Sequence, residues 1–275
     1  MEKKPTTPAA KKPAAEKKSS VGVSPALVIP ILAVIGFCIW SFILGDAANF
    51  EDAEKHKPAN AMGIVYSGGV IVPILITCML TVLVFSIERF LTIGKATGSG
   101  DLDAFVRNIR KMLDSNKIDE AVKACDVQKG SVGNVTKTAL QKYSQLVSDG
   151  ELTKEQKLAA LQKEVEEATS LELPMLEKNL TVLSTLASVA TLIALLGTVI
   201  GMIRSFFALG SGGGAPDASA LATGIAEALI NTALGIGTSA IAIIMYNIFT
   251  SKIDVLTYKI DEIGMSIQQN FASHN

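Results

Sequence analysis

Between Ala218 and Ser251 the chain carries one charge, Glu227, inside a run of apolar and small residues. A helix needs roughly 20 such residues to cross a bilayer, so this run is long enough to span one. An acidic side chain at the centre of a spanning helix costs about 2.5–3.5 kcal/mol on insertion scales. Such groups face a bundle interior or a wet cavity and serve ion or proton paths. The stretch from Gly224 to Gly235, built around Glu227, therefore sets proton-coupled membrane work as the first expectation.

The rest of the composition agrees. Almost half the residues are hydrophobic (49%), few are aromatic (5%), and the apolar ones are gathered in long uncharged blocks. That pattern predicts an all-α membrane protein with four transmembrane helices and a helical cytoplasmic module. A net charge of −1, with no interleaved basic and aromatic patch, gives no reason to expect a nucleic-acid partner. Cys38, Cys78 and Cys125 lack metal-ligand spacing and read as small hydrophobes. With no phosphate-binding glycine loop, zinc motif or nucleophile elbow, the expectation is no enzyme, no cofactor and no metal.

In chain order, residues 1–25 are a Lys-, Pro- and Ala-rich tail (Lys3, Lys4, Lys11, Lys12, Lys17, Lys18), expected to be disordered and cytoplasmic. Residues 26–45 are the first span, with Trp40 near its far end as an interfacial anchor. A cleaved signal peptide is the competing reading. The run exceeds an h-region of about 7–15 residues, and either outcome leaves the next loop on the same side. Residues 46–63, acidic through Asp46, Glu51, Asp52 and Glu54, form a periplasmic loop. Residues 64–92 return as the second span, kinked at Pro73 and leaving through Glu88-Arg89. Residues 93–178 turn amphipathic and helical (Leu102, Phe105, Ile109 and Leu113 on one face) and make the cytoplasmic module. Its acidic groups, Asp119-Glu120 and Glu164, Glu166 and Glu167, read as solvated helix faces rather than metal ligands. Leu158, Leu161, Val165 and Ala168 lie on a helix that runs toward the third span and is expected to bend at Pro174.

The third span, 179–209, repeats Thr181, Ser184, Ser188, Thr191, Leu195, Thr198, Met202 and Ser205 at three- and four-residue intervals. These align on one helix face, able to pack a neighbour or line a hydrated path. Arg204, near the outer end, reads as a snorkelling side chain. A turn at 210–219 joins the fourth span, 220–250, as an antiparallel neighbour. There Gly224, Ala228, Thr232, Gly235 and Ser239 make a small-residue face, with Glu227 and Asn231 beside it. Two roles for Glu227 stand open: a carboxyl that gains and loses a proton, or one that only fixes helix register. Ile253, Leu256, Ile260, Ile263 and Ile267 carry the same helix into a cytoplasmic tail, 251–275.

Leu195-Leu196-Gly197-Thr198-Val199-Ile200-Gly201-Met202, Gly224-Ile225-Ala226-Glu227-Ala228-Leu229-Ile230 with Thr232-Ala233, Tyr246-Asn247 and the Glu88-Arg89 exit together resemble the ExbB/TolQ/MotA family of ion-channel motor subunits, and most of all its ExbB branch. The resemblance covers roughly the last third of the chain. It implies a proton-conducting stator subunit, multi-pass in a bacterial inner membrane with its amino terminus inside. It also implies a pentameric homo-oligomer around an ExbD-like single-span protein, and work passed through a TonB-like protein to outer-membrane transport. Glu227, Thr198 and Thr232 become the proton-pathway residues. Ser184, Ser188, Thr191, Ser205, Gly224, Ala228, Asn231 and Gly235 become pore-lining or helix-packing residues.

The chain departs from that pattern in four places. A span is added ahead of the usual three. Ala194 and Ala240-Ile241-Ala242-Ile243 replace proline-containing elements, and Arg204 stands where smaller polar residues are common. The resemblance leaves TolQ-like envelope maintenance and Na⁺ as the driving ion both open. From another class, a structural membrane scaffold would use the same hydroxyls only to glue helices. A substrate transporter would need inverted repeats that the spans lack.

Overall fold

The computed structural model describes residues 24–52, 58–211 and 218–274. The tail expected over 1–25 therefore lies almost wholly outside the described residues, as do the middle of the acidic loop and most of the turn between the last two spans. Among the described residues the chain is helical, with one isolated bridge between Phe50 and Pro58. Four helices are long and apolar enough to cross a membrane, which makes this an all-α membrane protein.

Helix α1, Pro25–Cys38, widens into a π-helical turn over Ile39–Leu44. It lies along the later helix α3, Val72–Thr97, and Gly36 permits the approach because a side chain there would strike Thr77 and the Pro73 carbonyl. The outward residues Leu27, Ile31, Val34 and Phe42 remain exposed, as lipid contact requires. At its end Trp40 stacks on Tyr66, with ring centroids 5.0 Å apart. Asn49 donates to the carbonyls of Ile43 (2.7 Å) and Leu44 (3.0 Å), closing off helix-end acceptors, and accepts from Asn60 at 2.9 Å.

The second span is not continuous. Helix α2, Ala61–Tyr66, stops at a break around Ser67–Gly68, a short 3₁₀ turn follows over Gly69–Ile71, and α3 then begins. Gly69 has φ +75°, a left-handed conformation that glycine adopts without strain. The kink expected at Pro73 is thus replaced by a break upstream of it. Pro73 sits in the first turn of α3, where a missing N–H leaves no helical hydrogen bond unmade.

The module between the second and third spans comprises α4 (Leu102–Asp114), α5 (Ile118–Gln128), α6 (Gly130–Ser148) and α7 (Lys154–Glu177). Helix α8 spans Leu180–Ser211, and α9, Ala218–His274, is one helix of 57 residues. The far half of α9 supplies the module's spine. Ile253, Leu256, Ile260, Ile263 and Ile267 are all buried against Phe105, Ile109, Leu113, Leu140, Leu161 and Val165. Each such side chain contributes about 1.5–3 kcal/mol by leaving water. Tyr143 packs edge-on to Phe271 at 4.9 Å and donates to Asn270 Oδ1 at 3.0 Å. Glu120 pairs with Lys117, Glu167 with Lys163 and Glu164 with Lys142 on the surface. Among the described residues no three His, Cys, Asp or Glu side chains converge where a metal ion could bind.

The bend expected at Pro174 falls later, at Lys178–Asn179, where Asn179 takes φ +64°. Arg89, 1% exposed, explains the position: Nη1 donates to the carbonyls of Met175 and Leu176, both at 3.2 Å, and so satisfies the last turn of α7. Its other nitrogens bond Glu88 at 2.5 and 2.7 Å, and Asn179 also donates to Glu88 at 3.3 Å. The Glu88-Arg89 dipeptide is therefore a clamp between the end of α3 and the α7–α8 junction.

Candidate functional site

The α8–α9 hairpin is held together by missing side chains. A Cβ on Gly201 would lie 2.8 Å from the Gly224 carbonyl and 3.1 Å from the Ala228 nitrogen. One on Gly197 would lie 2.8 Å from Asn231 Nδ2, and one on Gly235 would collide with Ala194. Both helices present small residues at matching heights, so their backbones approach closely, as association in lipid favours. Ser205 adds bonds to the carbonyls of Gly201 (3.0 Å) and, across the hairpin, Leu221 (3.4 Å). Ser239 bonds the carbonyl of Ala187.

This closeness brings Thr198 and Thr232 together, Oγ1 to Oγ1 at 2.6 Å. Thr232 also reaches the Ala228 carbonyl at 3.0 Å, and Thr198 the Ala194 carbonyl at 3.1 Å. Each hydroxyl has one proton to give, so the pair has two arrangements. In one Thr198 donates to Thr232 and Thr232 to Ala228; in the other Thr232 donates to Thr198, and Thr198 to Ala194 or, at 3.4 Å, to Ala228. Switching between them reverses a short hydrogen-bond chain without moving a heavy atom.

The other hydroxyls of the α8 series do not share that environment. Thr181 and Ser188 are exposed, Ser184 and Thr191 are half-buried, and Leu195 and Met202 are exposed; only Ser205 turns fully into the hairpin. The face bearing Thr198, Val199, Met202 and Phe206 borders an open, mainly apolar groove of about 760 Å³. Among the described residues no helix covers it.

Glu227 occupies a different side of α9. Its side chain is 7% exposed, and among the described residues no hydrogen bond joins it to either threonine. It pairs instead with Arg204 of α8, whose Nη1 lies 2.8 Å from Oε1 and 3.0 Å from Oε2. This corrects the reading of Arg204 as a side chain that merely snorkels: the guanidinium turns toward the acid across the hairpin. Gly69 backs the carboxylate, with no room for a Cβ. One turn further on, fully buried Asn231 donates to the Gly68 carbonyl at 2.9 Å. Glu227 and Asn231 thus reach the break ahead of α3 while still touching α8 through Arg204 and Gly197, and Thr232 and Gly224 face α8.

Arg204 and Gly68-Gly69 were not legible as partners of Glu227. The available signal was a second intramembrane charge of opposite sign, since buried charges are usually paired.

Residues 128–262 match the model of the MotA/TolQ/ExbB proton channel family. The chain is similar to the putative biopolymer transport protein ExbB-like 3 of Synechocystis, 38% identical over 88 residues, which are 32% of this chain and 42% of that protein. It is 42% identical to the biopolymer transport protein ExbB of Helicobacter pylori over 84 residues, 30% of this chain and 57% of that protein. The match to the Tol-Pal system protein TolQ of Pseudomonas aeruginosa is 28% over 183 residues, 65% of this chain and 79% of that protein. The chain thus spans about half the length of the ExbB-type relatives.

Proposed function

Because residues 128–262 belong to the MotA/TolQ/ExbB proton channel family, we propose that the chain is the proton-conducting stator subunit of an inner-membrane complex of the ExbB–ExbD type. It uses the proton motive force to energise TonB-dependent transport across the outer membrane. The supporting observation is the Thr198–Thr232 hydroxyl pair, held at 2.6 Å inside the hairpin that carries the family's motifs. The uncovered α8 face, with its half-exposed hydroxyls, supports assembly of several copies around a partner helix, a pentamer about a single-span ExbD-like protein. Protons cross beside that partner, through Thr198 and Thr232, with Glu227 as the storage carboxyl. The amino terminus and the α4–α7 module lie in the cytoplasm.

A TolQ-like role in envelope maintenance is the second reading. It is favoured by the longer stretch, 183 residues, over which the chain aligns with a TolQ.

The deciding experiment copurifies the chain with its single-span partner, reconstitutes the complex in liposomes and follows proton uptake under an imposed gradient. The expected result is flux through the wild-type complex, reduced about tenfold or more in Thr198→Val and in Glu227→Gln. If both variants assemble normally and still energise uptake as wild type does, Thr198 and Glu227 only glue helices, and if the wild-type complex passes no protons the chain is a structural scaffold. The identity of the copurified partner separates the ExbB and TolQ readings.

A further inference from the structure

Arg204 has no part in the path just described, yet it makes the closest polar contact that Glu227 has. Two features give that contact direction. The break ahead of α3 presents only backbone at Gly68 and Gly69, and the left-handed Gly69 leaves a notch that the carboxylate fills. Asn231, on the same side of α9, fastens that side to the break through the Gly68 carbonyl. Glu227 and Thr232 are five positions apart, about 140° around a helix of 3.6 residues per turn, so a carboxylate seated in the notch points away from the hydroxyl pair. Burial is also lopsided: Glu227 is 7% exposed and Arg204 53%, so the pair is closed at the acid and open at the base.

We propose that Arg204 is a positioning residue for Glu227. Its guanidinium holds the carboxylate docked against Gly69, and the subunit conducts when this ion pair opens and Glu227 swings toward Thr232. The inference rests on the proton-conduction reading. Among the described residues, the charged group facing Glu227 is Arg204 from α8, and Gly68 and Gly69 contribute no titratable side chain. A proton arriving on either Oε converts the carboxylate to a neutral acid, which loses the charge-assisted, two-oxygen contact and leaves Arg204 charged at the open side. Beside Thr232 the carboxyl gives that proton to Thr232 Oγ1 as Thr232 passes its own to Thr198 and Thr198 its own onward to water, and the ionised carboxylate returns to Arg204. Proton arrival and release from the notch are then one event, and Arg204 keeps the closed state from leaking.

The test uses the full chain with its single-span partner in liposomes and measures proton leak in the absence of any energised acceptor. Arg204→Gln is expected to raise leak about tenfold, while Arg204→Lys, which keeps the charge, stays near wild type. Gly69→Ala, whose methyl would occupy the carboxylate's notch, is expected to raise it as well. A double-mutant cycle of Arg204→Gln with Glu227→Gln, read by thermal unfolding in detergent, is expected to be non-additive. Wild-type leak in Arg204→Gln and Gly69→Ala complexes of normal size, or an additive cycle, overturns the inference and leaves the proposed function standing. A wild-type complex that passes no protons overturns the proposed function and this inference together.

Discussion

Thr198 on α8 and Thr232 on α9 share one hydrogen bond, 2.6 Å between their Oγ1 atoms, and each also reaches a carbonyl of its own helix. The pair therefore has a reversible polarity, and its position depends on Gly197 and Gly201 keeping the two backbones close.

Thr232→Val should remove the proposed relay while keeping shape. Valine fills the same volume, so the variant should assemble and unfold within about 1 kcal/mol of wild type, the size of one net hydrogen bond. Proton flux through the reconstituted complex should fall about tenfold or more. Thr232→Ser should retain most of it, because the hydroxyl is kept.

Gly201→Ala should cost about 1–3 kcal/mol, as overpacking does, since the new methyl meets the Gly224 carbonyl at 2.8 Å and backbone cannot turn aside. The check is thermal unfolding in detergent. Gly237→Ala, where a Cβ meets nothing within 4 Å, is the control and should be neutral or slightly stabilising.

Arg89→Ala should destabilise the chain by about 3–5 kcal/mol, because it strands Glu88, 11% exposed, and frees the carbonyls of Met175 and Leu176. Lysine at that position should recover only part of the loss, lacking the planar fork that serves a carboxylate and two carbonyls at once. Protease sensitivity at the α7–α8 junction should rise in parallel.

Cys125 lies on α5 of the α4–α7 module, 2% exposed, with Sγ donating to the Ala121 carbonyl at 3.2 Å. Burial, with Asp126 adding to it, pushes the thiol up to about 12 from an ordinary 9.0. The thiolate is then about a thousandfold scarcer at neutral pH, from the difference 12 − 9. A water-soluble maleimide should leave Cys125 unlabelled at pH 7–8 and modify it at once in denaturant.

Much of this molecule can be read from order alone. Four apolar runs, the amphipathic stripe from Ile253 to Ile267 and the small residues at Gly224, Ala228 and Gly235 declare spans, module and hairpin. Burial of apolar surface and the bilayer's demand for satisfied backbone act on local periodicity, and periodicity is present in the string.

What order could not convey is how helices are rotated about their axes relative to one another. That angle is set by small residues of two helices meeting at once. It decides that Thr198 meets Thr232, that Arg204 meets Glu227 across 23 positions, and that Gly68-Gly69 rather than Pro73 breaks the second span. A helical wheel gives the bearing of each side chain on its own helix, whereas a contact needs both bearings and the distance between the axes, which exist only once the chain has packed.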